Sequence, residues 1–265
     1  MIPTVLSIAG TDPSGGAGIS ADLKTFSALG AFGTVVVTAV VAQNTRGVSA
    51  VHQLDADDVR TQLEVLLDDV HVDAVKIGML GTAEVTRAVA GVLRERRPAH
   101  VVLDPVMVAK SGDRLLAADA VAALRDDLLP HVDLVTPNLP EAADLLGEPE
   151  AADEAGMVDQ LGRLASMCPG VLLKGGHLDG DESVDLLHVD GTDTRLTADR
   201  VATRNNHGTG CTLSSAIAAL RPRSADWVEA VGTAKDYLTA ALRAADRLSI
   251  GTGHGPVHHF HALWR

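Results

Sequence analysis

The fold class is indicated by residues 4–29, whose sequence is TVLSIAGTDPSGGAGISADLKTFSAL. The apolar run Thr4–Ala9 predicts a buried β-strand, and Ala17–Leu29 predicts a helix with Leu23 and Phe26 on one side. Between them lies a glycine-rich stretch that favours a turn. The same order of a short strand followed by a helix continues along the chain.

This alternation predicts a parallel sheet covered by helices on both faces. Apolar strands without polar alternation indicate the same, because a parallel sheet is buried on two sides. Nothing resembles a linker, so residues 1–265 are expected to form one domain. Further strands are expected at Gly33–Ala42, Ala74–Ile77, Val101–Leu103, Leu134–Thr136 and Val171–Leu173, and further helices at Asp57–Val70, Ala83–Arg96, Ala118–Leu129 and Glu154–Ser166.

The last third of the chain departs from this pattern. Two strand-like runs, Val184–Val189 and Thr194–Leu196, flank Asp190-Gly191, which is a favourable hairpin turn. Two helices then follow each other, from Gly210 to about Leu220 and from Ala225 to about Leu248.

Composition excludes several classes of partner. The net charge is −13, which repels nucleic acid and anionic membranes. The longest apolar run, around Val35–Ala42, is too short to span a membrane. The two cysteines make neither a disulfide framework nor a zinc pattern, and no signal peptide opens the chain, so a reducing cytoplasm is expected.

Glycine, proline and polar residues follow almost every predicted strand. Ligands of open α/β sheets bind at the carboxyl ends of the strands, so these residues are expected to meet in one site. The segments are Gly10–Gly18, Gln43–Gly47, Gly78–Leu80, Asp104–Met107, Pro137–Glu141, Lys174–His177 and, before a helix, Asn206–Thr212.

The first segment carries four glycines, at positions 10, 15, 16 and 18. Their spacing does not match G-x-G-x-x-G, and no G-K-[ST] follows, so neither a dinucleotide fingerprint nor a P-loop is present. Two interpretations remain. The segment is a flexible turn before a helix, or it is a loop whose backbone approaches a ligand closely, as glycine permits.

The sharpest local motif is Gly208-Thr209-Gly210-Cys211 at a predicted helix start. Its backbone N–H groups and the helix dipole predict an anion site, for which phosphate is the natural occupant. A helix N-terminus lowers the pKa of a thiol, so we expect a thiolate to be favoured at Cys211. The alternative is a glycine-rich helix start with a buried cysteine. Cys168 lacks this environment and is expected to be structural.

Three further sites at strand ends have two interpretations each. Asn138 and Glu141 could form a capping box, or Glu141 could hold magnesium beside ATP phosphates. Asp104 is either a turn former or a carboxylate of the same metal site. Lys174 could meet phosphate charge, or it is a solvated lysine.

As a set, these segments closely resemble the hydroxymethylpyrimidine/phosphomethylpyrimidine kinases, a branch of the ribokinase-like superfamily. The segments that carry the resemblance are GTDPSGGAG (10–18), ADLKT (21–25), VAQNT (41–45), KIGM (76–79), DPVM (104–107), TPNLPE (136–141), KGGH (174–177), HGTGCTLS (207–214) and GPVHH (255–259).

The resemblance implies a three-layer α/β/α fold with a central, mostly parallel sheet, and a homodimer. It implies ATP-dependent, Mg²⁺-dependent phosphorylation of 4-amino-5-hydroxymethyl-2-methylpyrimidine and then of its monophosphate, for thiamine diphosphate biosynthesis.

The resemblance also implies roles for individual residues. Gln43 lies against the pyrimidine, with Gly10, Asp22 and Met79 near it. Asn138, Lys174 and Asp104 serve the ATP phosphates, and Glu141 and Asp104 serve magnesium. Gly208, Thr209 and Gly210 form the anion hole, and Cys211 accepts the proton of the substrate hydroxyl.

Three alternatives stay open. A pyridoxal kinase-like vitamin kinase of the same superfamily would act on a similar heteroaromatic alcohol. A non-catalytic pyrimidine sensor would be expected to lose the anion hole or Glu141, and the chain keeps both. A nucleotide-binding interaction domain is disfavoured because no apolar partner patch is evident.

Overall fold

A central sheet forms the middle layer of the molecule in the computed structural model of this chain. Within the residues that the structure describes (1–107, 118–176, 178 and 180–264), eight strands form this sheet and two form a separate hairpin. The strands are β1 (Thr4–Ala9), β2 (Phe32–Val37), β3 (Ala39–Asn44), β4 (Gly47–Gln53), β5 (Ala74–Ile77), β6 (Val101–Leu103), β7 (Leu134–Val135), β8 (Val171–Lys174), β9 (Glu182–Val189) and β10 (Thr192–Asp199).

The sheet has the order β10-β9-β8-β7-β6-β5-β1-β2. Six strands of this sheet, in the spatial order β8-β7-β6-β5-β1-β2, are parallel to their neighbours. At one edge β9 pairs antiparallel with β8, and β10 pairs antiparallel with β9. The mostly parallel sheet is therefore confirmed. The α-helices are α1 (Gly18–Ala28), α2 (Ala56–Asp69), α3 (Ala83–Arg96), α4 (Ala118–Ala123), α5 (Leu139–Leu146), α6 (Glu154–Leu164), α7 (Thr209–Leu220) and α8 (Trp227–Arg243).

Helices cover both faces of the sheet because successive strand residues point to opposite sides. Leu6 and Ile8 of β1 pack in a core with residues of α2 to α6. Val5 packs in a second core with Phe26 of α1 and with residues of α7 and α8. The two cores give the three-layer α/β/α arrangement.

The prediction of one strand over Gly33–Ala42 is wrong, since the segment is divided at Thr38. β2 continues the parallel sheet to Val37, but β3 leaves it and pairs antiparallel with β4. The backbone N–H of Thr38 bonds to Ala9, and its carbonyl accepts from Leu54. The run is apolar except for threonines, and a single Thr38 does not indicate that the chain changes pairing partner there. β4 was not predicted.

The predicted helix Ala118–Leu129 is only partly present as an α-helix. After α4 the chain widens into a π-turn at Leu124–Leu128 and ends in a 3₁₀ turn at Leu129–His131. Pro130 in that turn has no backbone N–H and cannot continue a helix. The second long helix of the tail likewise stops at Arg243, before a 3₁₀ turn at Ala245–Arg247.

The predicted hairpin turn is confirmed. Asp190 and Gly191 have φ angles of 50° and 72°, as the tight turn between β9 and β10 requires. None of the helices in the described part of the chain is both long and apolar enough to cross a membrane.

Candidate active site

One cavity of about 650 Å³ lies at the carboxyl ends of the parallel strands. The structure therefore brings together side chains that follow different strands, as the strand-end pattern predicts. The predicted site residues that line the cavity are Gly10, Gln43, Met79, Asp104, Asn138, Glu141, Lys174, Gly208, Thr209, Gly210 and Cys211. His177, which belongs to one predicted segment, lies outside the described residues.

The N-terminus of α7 faces this cavity. Gly208 precedes the helix with a φ of 78°, a left-handed conformation that glycine adopts without steric cost. Within the described residues no side chain caps the helix, and Gly208, Thr209 and Gly210 all line the cavity. Uncapped N–H groups with the positive end of the helix dipole are a general anion site.

The prediction of a favoured thiolate at Cys211 is wrong for the ligand-free protein. Burial raises the pKa of the Cys211 thiol to about 12, and the charges of Asp104 and Asp22 act in the same direction. The cation of Lys76 and the backbone N–H of Gly18 oppose this shift but do not overcome it. The sequence pattern identified the helix N-terminus but could not show how deeply the sulfur is desolvated.

Lys174 meets two carboxylates at the centre of the cavity. Its Nζ lies 3.1 Å from Asp104 Oδ1 and 3.9 Å from Glu141 Oε2. Burial lowers the pKa of Lys174, but attraction to these carboxylates raises it above the ordinary value. Lys174 is therefore a paired, protonated lysine that is mostly buried, rather than a solvated one.

Glu141 caps α5, and burial makes the negative charge of its carboxylate unfavourable. Its Oε2 accepts from the backbone N–H of Asn138 at 2.8 Å, and Asn138 Oδ1 accepts from the backbone N–H of Glu141 at 2.8 Å. The capping box is thus present. Burial raises the pKa of Glu141 to about 7, with Lys174 opposing and Asp104 reinforcing the shift. A divalent cation nearby would relieve this unfavourable negative charge.

The donor set fits magnesium only if other oxygens complete it. Among the described residues, no group of three or more His, Cys, Asp or Glu side chains is close enough to hold a metal. Asp104 and Glu141 supply carboxylate oxygens around Lys174. Mg²⁺ commonly binds through one or two carboxylates with water and substrate phosphates, and this arrangement suits that mode.

Gln43, Met79 and Gly10 also line the cavity. Gln43 is the fifth residue of β3, and its side-chain amide lies near enough to the carboxylate of Asp12 to lower the pKa of that carboxyl. A Cβ on Gly10 would lie 2.7 Å from Cε of Met79, so a larger residue there would displace the end of the Met79 side chain. The Asp12 contact leaves the amide oxygen of Gln43 as the acceptor for a ligand.

Asp22 does not line the cavity, and its side chain is fully buried. Its carboxylate pairs with Lys76 Nζ at 2.9 Å and accepts from Ser7 and Ser215 at 2.5 and 2.7 Å. Lys76 does line the cavity. Asp22 therefore does not contact a ligand directly, and it acts on the site through its ion pair with Lys76 and its charge near Cys211.

Sequence reasoning missed several residues of the cavity. Lys76 is fully buried on β5 between apolar neighbours, and a charged residue inside an apolar strand is a signal of a functional or paired group. His207 lines the cavity, although its motif indicated no role for it. An apolar wall comes from Val201 and from Leu238 and Leu242 of α8, for which the local sequence carries no signal.

Comparison with known proteins agrees with this geometry. Residues 12–258 match the family model of phosphomethylpyrimidine kinase. The chain is 56% identical over 260 residues to the hydroxymethylpyrimidine/phosphomethylpyrimidine kinase of Escherichia coli (strain K12), with 98% of each chain covered. It is 54% identical over 266 residues to the protein of the same name from Rhizobium meliloti (strain 1021), with 100% of each covered.

Solved structures have the same fold. A pyridoxal kinase from Staphylococcus aureus in complex with AMP-PCP and pyridoxal superposes with a TM-score of 0.90 at 34% identity, covering 99% of this chain and 95% of that one. A phosphomethylpyrimidine kinase from Clostridium difficile 630 gives 0.80 at 39% identity, covering 91% and 99%. The motif resemblance is thus confirmed, and the chain is a small-molecule kinase that belongs to the phosphomethylpyrimidine kinase family.

Proposed function

We propose that this protein transfers the γ-phosphoryl group of ATP to the hydroxymethyl oxygen of 4-amino-5-hydroxymethyl-2-methylpyrimidine, and then a second one to the resulting monophosphate. The observation that carries the proposal is one shared cavity. It is lined both by Gly10, Gln43 and Met79 and by the residues of the uncapped N-terminus of α7. Relatives of that name, more than 50% identical over nearly the whole chain, support the choice of substrate.

Phosphoryl transfer depends mainly on positioning and on positive potential around the moving group. The N–H groups of Gly208, Thr209 and Gly210 and the ammonium of Lys174 supply that potential in the proposed site. Lys174 Nζ would lie 3.3 Å from a Cβ built on Gly210, so the two sources of positive charge are adjacent. Magnesium, when bound, would neutralise phosphate charge beside Asp104 and Glu141.

Cys211 is proposed to take the proton of the substrate hydroxyl in the first step. Its thiol is protonated in the ligand-free protein, because burial raises its pKa to about 12. Acceptance of a proton therefore requires that the thiol first lose its own proton to solvent in the cavity that Cys211 lines, and the cation of Lys76 favours this loss. In the second step the nucleophile is a phosphate oxygen, which is already anionic and needs the base less.

A second candidate activity is the phosphorylation of pyridoxal. The pyridoxal kinase from Staphylococcus aureus shares the fold over nearly all of this chain, and its structure holds pyridoxal. Parallel assays distinguish the two. Purified protein is incubated with ATP, Mg²⁺ and either alcohol. ADP release is followed in a coupled enzyme assay, and the products are identified by mass spectrometry.

We expect the pyrimidine mono- and diphosphates to form, and pyridoxal to react more slowly. A faster reaction with pyridoxal would reverse the assignment, and no ADP release with either alcohol would remove both. We also propose that the enzyme is a cytoplasmic homodimer, which rests on the sequence resemblance and on the cysteine usage.

A further inference from the structure

Asp12 organises the glycine-rich substrate loop, which we define as Gly10–Gly18. One carboxylate oxygen accepts from the backbone N–H and the hydroxyl of Ser14, at 2.8 and 2.7 Å. The other accepts from the backbone N–H groups of Gly16 and Ala17, at 3.1 and 2.8 Å. The Asp12 side chain is 1% exposed. A buried carboxylate with this many donors holds the loop in one conformation.

His207 connects this loop to the anion loop, which we define as Asn206–Cys211. Its Nε2 lies 2.8 Å from Asp12 Oδ2. Although burial acts to raise it, hydrogen bonds from His207 and Gln43 keep the pKa of Asp12 well below its usual range. Asp12 is therefore an ionised acceptor, and His207 Nε2 is the donor. The backbone N–H of His207 also bonds to the carbonyl of Gly255 at 3.0 Å, which anchors the residue.

The two loops also pack against each other through their backbones. A Cβ on Gly16 would overlap the imidazole of His207, and a Cβ on Gly208 would overlap the carbonyl of Gly16. The backbone N–H of Gly18 lies near enough to the sulfur of Cys211 to act against the rise in the pKa of that thiol. A shift of one loop would therefore displace the other, and would move Cys211 relative to Gly18.

We propose that His207 is a positioning residue for phosphoryl transfer, whose hydrogen bond to Asp12 holds the anion loop against the substrate loop. The proposal rests on the proposed function, because the substrate loop holds the alcohol and the anion loop holds the phosphate. The distance between these two groups decides the rate of transfer. A misplacement of about 1 Å can cost about 10²-fold in turnover.

The test compares steady-state kinetics of wild type, His207→Ala and His207→Gln with ATP and the pyrimidine alcohol. His207→Ala should lower kcat by about 10- to 100-fold and leave both KM values near wild type, since each loop keeps its own ligand contacts. His207→Gln, whose amide N–H can still donate to Asp12, should recover most of the turnover. His188→Ala removes a comparable pair on β9, His188 Nδ1 to Asp193 Oδ1 at 2.6 Å, and should behave as wild type.

Each other result overturns the proposal. Normal kcat in His207→Ala, with a lower melting temperature, would make the contact merely structural. A raised pyrimidine KM with unchanged kcat would make His207 a direct ligand contact. A folded Gln variant as slow as Ala would mean that the imidazole itself reacts, and this comparison stands even if the Ala variant does not fold. Wild-type protein without turnover would instead remove the proposed function.

Discussion

At the scale of single residues, Cys211 is the group whose chemistry depends most on its surroundings. We expect Cys211→Ala to slow the first phosphorylation by about 10²–10⁴-fold, the usual contribution of a positioned acid–base group. The second phosphorylation should be affected less. Equal losses in both steps would show that Cys211 shapes the anion hole instead, and Cys168→Ala is the control because that buried thiol is outside the cavity.

The pH dependence gives an independent readout of the same residue. A thiol with a pKa of about 12 gains thiolate as the pH rises toward that value. The kcat/KM of the first step reports on free enzyme, so in wild type it should still rise above about pH 9. Glu141, whose pKa burial raises to about 7, is already ionised in that range and adds no further rise. The rise should be absent in Cys211→Ala, and a flat wild-type profile would contradict the role of proton acceptor.

Gln43 is expected to select the pyrimidine. Gln43→Ala should weaken pyrimidine binding by about 1–3 kcal/mol, the cost of leaving a buried polar group unpaired. Gln43→Glu should bind no better than the Ala variant, because a second carboxylate would face Asp12. Titration calorimetry checks both variants, with ATP affinity as the internal control. Unchanged pyrimidine affinity in Gln43→Ala would show that Gln43 does not bind the pyrimidine and acts only on Asp12.

The charge of Glu141 is expected to matter more than its shape. Glu141→Gln keeps an oxygen that can accept from the backbone N–H of Asn138, so the capping box can persist. We expect a higher Mg²⁺ requirement and lower turnover, with pyrimidine binding in the absence of ATP nearly unchanged. Glu229→Gln changes the corresponding carboxylate at the start of α8, outside the cavity, and should leave both quantities at wild-type values. A marked loss of melting temperature with normal activity would mean that Glu141 only caps α5.

At the scale of elements, the N-terminus of α7 depends on Gly208. Gly208→Ala should destabilise the protein, since φ is 78° there, and should lower turnover by about 10²-fold because the substrate loop must also move. Gly147→Ala is the matched control. Its φ is 68°, but a Cβ there meets nothing within 4 Å. Kinetics and thermal melting are measured for both variants. Gly147→Ala shows the loss of stability caused by a positive φ alone, and the further loss in Gly208→Ala is caused by the overlap with the carbonyl of Gly16. Equal behaviour of the two would contradict the contact between the loops.

At the scale of the whole molecule, the homodimer is the prediction to check. The chain has a mass of 27.5 kDa, so light scattering on purified protein should give about twice that value. A single species at the monomer mass, at the concentration used for assays, would contradict the dimer.

Much of the fold was determined by the sequence alone. Thr4–Ala9, Ala74–Ile77 and Val101–Leu103 were predicted with the bounds that the structure has. These strands are short, mostly apolar and bounded by polar, glycine or proline residues, so local composition marks both ends. The strand-end motifs also placed Asp104 and Lys174 in one cavity, because parallel strands bring their carboxyl ends to one edge.

Only the tertiary structure decided the features that depend on distant parts of the chain. The break at Thr38 follows from the choice between two pairing partners, and the largely apolar run on either side of Thr38 suits both. The raised pKa of Cys211 follows from desolvation by several elements, which outweighs the local helix terminus. Asp12 and His207 are 195 residues apart, and their contact exists because the sheet brings two loops to the same edge. Local periodicity carries no information about burial or about such pairs.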